Sequence, residues 1–220
     1  MSVFGSLQKT FVADFFRKLF RVAIINPGNE PLGEDVKSYV ACINHSSNWD
    51  PIIIGACMHR PLRYMAKAEL FKVPVLGWLV KLFGAFPVKR NTADVLSIKT
   101  SINLLENGEI VGIYPEGHRE KRTPPSYEVS LKSGVAMAAM RAKTGILPVT
   151  VISKGYKVKM FRKTIVVFGE YAPYEKLEEF AKECGEISNI DLYKKITDKI
   201  YGAILENYKK YDTLNKKQKR

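Results

Sequence analysis

The strongest constraint on the fold is a regular alternation between short apolar runs and segments of helical character. Residues 38–43 suit a buried strand, and residues 51–58 follow as a helix. Further strands are predicted at 63–66, 85–88, 109–114, 146–152 and 164–168, and further helices at 75–83, 92–106, 132–143, 174–184 and 190–208. This alternation predicts an α/β fold whose largely parallel central sheet is flanked by helices.

The length and composition fit a single globular domain. The chain has 220 residues, of which 46% are hydrophobic and 26% are charged. These values exclude a disordered chain, a collagen and an array of polar repeats. The cysteines Cys42, Cys57 and Cys184 are far apart and outline no disulfide framework, so we expect reduced thiols in a cytosolic setting.

The charge balance points to an anionic partner. The formal net charge is +13, which is typical of proteins that meet nucleic acid, a membrane surface or phosphorylated substrates. No N-terminal segment has the pattern of a signal peptide. No run reaches the roughly 18 charge-free apolar residues that a membrane-spanning helix needs. We therefore expect a protein that contacts a membrane surface without crossing it.

The N-terminal segment, at about residues 4–23, is predicted to be an amphipathic helix. Its apolar face contains Phe4, Phe11, Val12, Phe15, Phe16, Leu19, Val22 and Ala23, and its polar face contains Lys9, Asp14, Arg17, Lys18 and Arg21. An aromatic face opposite a basic face is typical of a helix in the membrane interface. A helix packed on a core has a similar pattern, and one helix can do both.

These patterns divide the chain into three parts. Residues 1–26 are predicted to be a membrane-associating helix, residues 27–208 the globular domain, and residues 209–220 a basic tail. The tail is interpreted either as a solvated terminus or as a further contact with anionic lipid head groups.

Polar side chains follow the predicted strand at 38–43. His45 precedes Asp50 by five residues, and a turn that folds back onto a helix start can bring a carboxylate to an imidazole. Such a pair leaves the second ring nitrogen as a base that can activate a hydroxyl group. Asp50 before Pro51 is equally typical of a helix N-cap. Ser46 and Ser47 leave a serine nucleophile open, although no nucleophile elbow surrounds them.

Two further clusters lie where later strands end. Lys67 and Arg90 stand beside apolar runs, where cations suit an anion site, since arginine binds phosphate oxygens in a fork. Glu116, Gly117 and Arg119 follow the strand at 109–114 and could bind hydroxyl and phosphate groups. The alternatives are solvated surface cations and a turn with a surface Glu–Arg pair. A zinc site through Cys42, His45, Cys57 and His59 is a further alternative, although the spacings match no zinc pattern.

Taken together and in this order, the segments NHSSNWD, GAFPVKR, YPEGHRE and LPVTV resemble the four successive motifs of the glycerophospholipid acyltransferase family. The resemblance covers residues 38–152, over half of the chain. It implies transfer of a fatty acyl group from an acyl thioester to the sn-2 hydroxyl of lysophosphatidic acid, which forms phosphatidic acid.

The resemblance also implies roles for individual residues. His45 matches the general base and Asp50 the acid that orients it, with direct attack of the hydroxyl and no acyl-enzyme. The implied substrate-binding residues are Lys67, Arg90, Glu116, Gly117 and Arg119. Pro148 matches the proline of the fourth motif. His118 and Glu120 depart from the usual Thr and Ser, which leaves glycerol 3-phosphate or another lysophospholipid open as the acceptor.

We expect no metal and no tightly held cofactor, because acyl-CoA or acyl carrier protein serves as the cosubstrate. The expected partners are lysophosphatidic acid, the acyl donor and an anionic membrane surface, but not nucleic acid, for which the chain has no recognised motif. The expected location is the cytoplasmic face of the cell membrane, as a peripheral protein. The rival from another class is a non-catalytic basic module that binds membranes or nucleic acid.

Overall fold

The computed structural model describes residues 3–88, 93–119, 124–126 and 128–215. The helices are α1 (Val3–Leu19), α2 (Asp50–Cys57), α3 (Leu76–Leu82), α4 (Ala93–Glu106), α5 (Gly134–Arg141), α6 (Tyr174–Glu183) and α7 (Asn189–Tyr211). The strands are β1 (Val22–Ile25), β2 (Tyr39–Ile43), β3 (Leu62–Lys67), β4 (Ala85–Val88), β5 (Ile110–Ile113), β6 (Gly145–Ser153) and β7 (Thr164–Phe168). Short 3₁₀ turns cover Pro27–Asn29, Ala68–Lys72 and Lys154–Tyr156.

One sheet contains all of these strands, in the order β1-β7-β6-β2-β5-β3-β4. The neighbours from β6 through β4 pair in parallel. Strand β7 runs antiparallel to β6, and β1 runs parallel to β7. The predicted α/β fold with a largely parallel sheet is therefore confirmed. We call the edge at which the five parallel strands end the carboxyl edge, and the opposite edge the amino edge.

Helices cover the two faces of the sheet, and the central strands are therefore buried on both sides. All five residues of β2 and all nine residues of β6 are buried. Tyr39, Ala41 and Ile43 belong to a core shared with α1, α2 and α3. Val40 and Cys42 point to a second core, which is shared with the helices from α4 to α7. Continuous apolar strands of this kind are typical of parallel sheets.

The N-terminus differs from the prediction of a helix that reaches Ala23. Helix α1 ends at Leu19, Arg21 adopts a left-handed φ of 44°, and residues 22–25 form an edge strand on β7. Phe16 and Phe20 are buried against the core, whereas Phe11 and Phe15 are exposed. The helix thus packs on the domain with one part of its aromatic face and leaves the other part open.

The C-terminal helix is longer than predicted. It continues to Tyr211, so the first residues of the predicted basic tail belong to its last turn, and residues 216–220 of that tail lie outside the described residues. The predicted apolar stripe packs on the core, with Ile196, Ile200 and Ile204 buried. In the part of the chain that the structure describes, no helix is long and apolar enough to cross a membrane.

Candidate active site

The loop between β2 and α2 holds a buried carboxylate against an imidazole. Asp50 is fully buried, and its Oδ2 lies 3.0 Å from His45 Nδ1. The same oxygen accepts hydrogen bonds from the backbone N–H groups of Ser46 and Ser47, each at 2.7 Å. The carboxylate therefore organises the loop that precedes α2. It does not cap the helix, because α2 has no side-chain cap at its N-terminus.

This geometry fixes the tautomer of His45. An ionised carboxylate can only accept hydrogen bonds, so Nδ1 carries the proton and Nε2 keeps its lone pair. The ring stacks on Tyr114, with the ring centroids 4.1 Å apart and the planes inclined by 30°. The imidazole is 18% exposed. One side of the ring is thus packed, while part of it remains accessible to a substrate.

A second buried carboxylate lies beside this pair. Glu116 follows β5, and its Oε1 accepts hydrogen bonds from the His45 backbone N–H at 3.2 Å and from the Tyr201 hydroxyl at 2.9 Å. Its Oε2 has no hydrogen-bond partner among the described residues. Burial raises the pKa of Glu116, although the hydrogen bonds from Tyr201 and His45 oppose this shift. The buried Oε2 therefore has acceptor capacity that the described residues do not fill.

These groups line a pocket at the carboxyl edge. Its walls include His45, Glu116, Pro125, Tyr156 and Tyr208. Clefts at this edge are the usual ligand sites of open α/β sheets.

Asn44 fixes the relative position of the strands beneath the pocket. Its side-chain NH₂ donates to the Val151 carbonyl at 3.0 Å, and its Oδ1 accepts from the Val151 N–H at 2.7 Å. These two hydrogen bonds join the end of β2 to β6 beside His45. The floor of the pocket is therefore held from two strands.

Among the described residues, Lys67, Gly117 and Arg119 make no hydrogen bond or ion pair with the imidazole. Gly117 has a left-handed φ of 68°, which favours glycine. Lys67, at the end of β3, and Arg119, after the Glu116 turn, are both exposed. Arg90 lies outside the described residues, as does Glu120. The structure thus brings together His45, Asp50 and Glu116 among the predicted site residues.

The two alternative chemistries of this loop find no support in its contacts. The Ser47 hydroxyl is buried and donates to the Val158 carbonyl at 3.4 Å, and the Ser46 hydroxyl faces Asp50 at 3.5 Å. Among the described residues, no group of three or more His, Cys, Asp and Glu side chains is placed to hold a metal ion. The histidines of the zinc alternative lie at opposite ends of α2, where His59 contacts Glu30 and His45 contacts Asp50.

Three residues of the site were not predicted from the sequence. Tyr201 reaches Glu116 from α7, 85 positions further along the chain. Asn44 bonds to a residue 107 positions away. Tyr114 lies in the segment YPEGHRE, for which the sequence predicts roles only at Glu116, Gly117 and Arg119. No local signal identifies the first two, since their partners are defined only by the packing of the sheet and α7.

The fold and the site together define an α/β protein in which a buried carboxylate orients an imidazole at the carboxyl edge of the sheet. A sequence profile of the family described as Acyltransferase matches residues 27–152. That range is more than half of the chain, so the chain belongs to the acyltransferase family.

Individual relatives agree with this assignment. The chain is 36% identical over 143 residues to a 1-acyl-sn-glycerol-3-phosphate acyltransferase of Bacillus subtilis (strain 168), in an alignment that covers 64% of this chain and 68% of the relative. A Streptococcus pneumoniae protein of the same name is 32% identical over 116 residues, which cover 52% of this chain. The aligned part spans only 41% of that relative's length.

A solved structure shows the same fold. The crystal structure of the 1-acyl-sn-glycerophosphate (LPA) acyltransferase PlsC from Thermotoga maritima superposes with a TM-score of 0.62 at 19% sequence identity. The superposition covers 93% of this chain and 82% of that one. At this identity the likeness concerns the fold alone.

Proposed function

We propose that this protein is a 1-acyl-sn-glycerol-3-phosphate acyltransferase, which transfers a fatty acyl group from a thioester to the sn-2 hydroxyl of lysophosphatidic acid. The main support is the His45–Asp50 pair, with 3.0 Å between Nδ1 and Oδ2 and an accessible imidazole at the pocket. The names of the relatives support the choice of substrates.

The chemical step uses His45 as a general base. Nε2 takes the proton of the sn-2 hydroxyl while that oxygen forms a bond to the thioester carbonyl carbon. The tetrahedral intermediate then breaks its C–S bond, and the thiolate leaves and takes up the proton from the imidazolium. Asp50 stabilises the imidazolium through its 3.0 Å contact with Nδ1. A positioned base of this kind contributes about 10²–10⁴-fold.

Attack by the acceptor is direct. The Ser46 and Ser47 side chains make their described contacts with Asp50 and the Val158 carbonyl, and the imidazole is not one of their partners. Their backbone N–H groups both donate to Asp50. These two N–H groups are therefore occupied and do not act as oxyanion donors.

The acceptor is held by groups of complementary charge. Glu116 Oε2, which has no hydrogen-bond partner in the described part of the chain, accepts a hydrogen bond from a glycerol hydroxyl. Lys67 and Arg119 are exposed cations that attract the phosphate. Arg90 joins them on the basis of the second-motif resemblance. Such contacts hold the acceptor hydroxyl in place, so that its reaction with the bound thioester is effectively unimolecular.

The acyl donor is a CoA or carrier-protein thioester, which acts as a cosubstrate and leaves no group on the enzyme. Both substrates are anionic, as is a bilayer that contains lysophosphatidic acid, and the net charge of +13 is complementary to all of them. The enzyme works as a peripheral protein at the membrane surface, with α1 as one contact.

An acceptor and donor matrix tests the proposal. Purified protein in detergent or liposomes is assayed with lysophosphatidic acid and with glycerol 3-phosphate, each with acyl-CoA and with acyl carrier protein as the donor. We expect phosphatidic acid from lysophosphatidic acid and little product from glycerol 3-phosphate. A preference for glycerol 3-phosphate would replace the proposed acceptor, and no transfer from any donor would refute the enzyme assignment.

A further inference from the structure

The connection between β6 and β7 combines clustered cations with exposed apolar side chains. Residues 154–163 read KGYKVKMFRK and contain no acidic residue. The cations are Lys154, Lys157, Lys159, Arg162 and Lys163, and all are exposed. At the tip, Met160 and Phe161 are exposed as well, and Phe161 is 73% accessible. We call residues 154–163 the docking loop.

The backbone of the docking loop is anchored on the domain. The Phe161 N–H donates to the Leu19 carbonyl at the end of α1, at 2.7 Å. Val158 is buried in the core, and its carbonyl accepts from the Ser47 hydroxyl beside the site. Phe161 adopts a left-handed φ of 62°, which is uncommon for a bulky residue. The apolar tip is therefore held outward by a fixed backbone.

The loop lies at the carboxyl edge, next to the pocket. Strand β6 ends and the antiparallel β7 begins at this edge, and Tyr156 of the loop lines the pocket. The segment after β3 lies at the same edge on the other side of His45, and there Lys72, Val73 and Val75 are exposed. Apolar tips thus flank the pocket on both sides.

We propose that the carboxyl edge is a bilayer-docking surface, in which the docking loop inserts Met160 and Phe161 among anionic lipids and brings the pocket to the membrane. Exposed apolar side chains beside cations are the composition of interfacial segments, since apolar burial and charge attraction add. The inference rests on the proposed function in one respect, namely that a lipid acceptor enters the pocket from the bilayer. An acidic protein would match the cations but would leave the apolar tip without a partner.

Vesicle binding without any substrate tests the apolar tip. The variant Phe161→Asn is compared with Ile190→Asn, because Ile190 is also 73% exposed. Ile190 lies at the start of α7, about 30 Å along the helix from its end near Ser153. Asparagine tolerates a left-handed φ better than phenylalanine, so Phe161→Asn retains the fold.

The probes are vesicles of phosphatidylglycerol and phosphatidylcholine, in a flotation assay. We expect Phe161→Asn to bind on the order of tenfold more weakly, since the ring no longer enters an apolar medium. Ile190→Asn should bind like the wild type. Equal binding by both variants and the wild type, with unchanged melting temperatures, overturns the proposal.

Charge reversal tests the lipid attraction. Lys159→Glu/Lys163→Glu is compared with Lys194→Glu/Lys195→Glu, which changes the net charge equally on the exposed side of α7. We expect the first pair to lower the affinity for anionic vesicles at low salt by about fivefold or more per lysine, and the second pair to have a small effect. If the first pair lowers only the use of acyl carrier protein and leaves vesicle binding unchanged, the loop is a protein contact and the proposal is wrong.

Activity separates this inference from the proposed function. With a short-chain lysophosphatidic acid that is monomeric in solution, Phe161→Asn should retain the wild-type kcat. With the acceptor embedded in vesicles, its rate should fall along with its binding. A wild type that binds vesicles through the loop but transfers no acyl group would refute the function and leave the docking surface standing. An equal loss on both acceptors would contradict the docking role.

Discussion

Helix α2 has a carboxylate–imidazole pair near each end, and only one of them lines the site. At the carboxyl edge, His45 Nδ1 lies 3.0 Å from Asp50 Oδ2, and beyond the other end of the helix His59 Nδ1 lies 2.9 Å from Glu30 Oε2. Both carboxylates are fully buried and accept backbone N–H groups. The distance between carboxylate and imidazole therefore does not distinguish a pair that prepares a base from a pair that only stabilises the fold.

The surroundings of the two imidazoles differ. His59 is 60% exposed, while Glu30 also accepts the Tyr39 hydroxyl and the Arg60 N–H, which joins three chain segments at the amino edge. Burial, followed by the charge of Glu30, raises the pKa of Tyr39, so its hydroxyl stays a donor. His45 instead stacks on an aromatic ring beside a second carboxylate in a pocket. An oriented imidazole becomes a candidate base where it lines a pocket that can hold a substrate, as His45 does.

Removing each imidazole gives the largest contrast. His45→Ala should lower kcat by about 10²–10⁴-fold, because the proton of the hydroxyl has no acceptor. His59→Ala should leave kcat within about threefold of the wild type, since an exposed pair contributes little. Steady-state assays with a thioester donor and a circular dichroism melt check both. Similar losses of kcat in the two variants would contradict the distinction drawn here.

The Glu30–His59 pair is expected to stabilise the fold without taking part in the reaction. Glu30→Ala leaves the buried Tyr39 hydroxyl and two backbone N–H groups without their acceptor. The free energy of unfolding should fall by about 3 kcal/mol, while kcat per folded molecule stays unchanged. Urea denaturation and an assay at a temperature where the variant is folded measure the two effects. An unchanged midpoint with a lower kcat would reverse the roles of the two carboxylate pairs.

The buried Glu116 beside His45 should make the stability of the protein depend on pH. Burial raises the pKa of Glu116 in the folded state above its ordinary value of 4.5. The folded state therefore loses stability as the pH rises through the raised pKa, because the buried side chain must ionise. Glu116→Gln keeps an oxygen for Tyr201 and the His45 N–H, so it should be more stable than the wild type above that pKa.

The gain from Glu116→Gln should vanish below pH 4.5, where both the folded and unfolded wild type are protonated. Urea unfolding of both proteins between acid and neutral pH measures the difference. Acyl transfer should decrease at every pH, since the proposed acceptor contact changes. A stability gain that is independent of pH would show that ionisation of Glu116 is not its cause.

The smallest effect concerns the ring beneath His45. The Tyr114 hydroxyl is buried, and it has no hydrogen-bond partner among the described residues. Tyr114→Phe keeps the stacking surface and removes the unsatisfied group, so the free energy of unfolding should rise by about 1 kcal/mol. We expect kcat within about twofold of the wild type. A large fall in kcat would assign the hydroxyl a role in the reaction, and a thermal melt provides the stability value.

The extent of prediction from sequence differs between local and distant features. Continuous apolar runs and helical periodicity predicted most elements correctly, and a turn that folds back onto a helix start predicted the approach of Asp50 to His45. Strand β1 was missed because its first two residues, Val22 and Ala23, continue the apolar face of the preceding helix. The antiparallel direction of β7 and the contact of Tyr201 depend on pairings between distant segments, which no local pattern encodes.

The reversal of chain direction between β6 and β7 has a consequence for how the molecule can vary. Elsewhere in the sheet, consecutive parallel strands are joined by connections that cross a face of the domain, so changes in their length disturb the packing of a core. The β6–β7 connection crosses no face, and residues outside the paired segment Val149–Ser153 with Thr164–Phe168 take no part in its ladder. The exposed positions of this stretch, unlike Val158 in the core and Tyr156 in the pocket wall, can therefore change without disturbing the domain, so that one fold can be matched to surfaces of different composition.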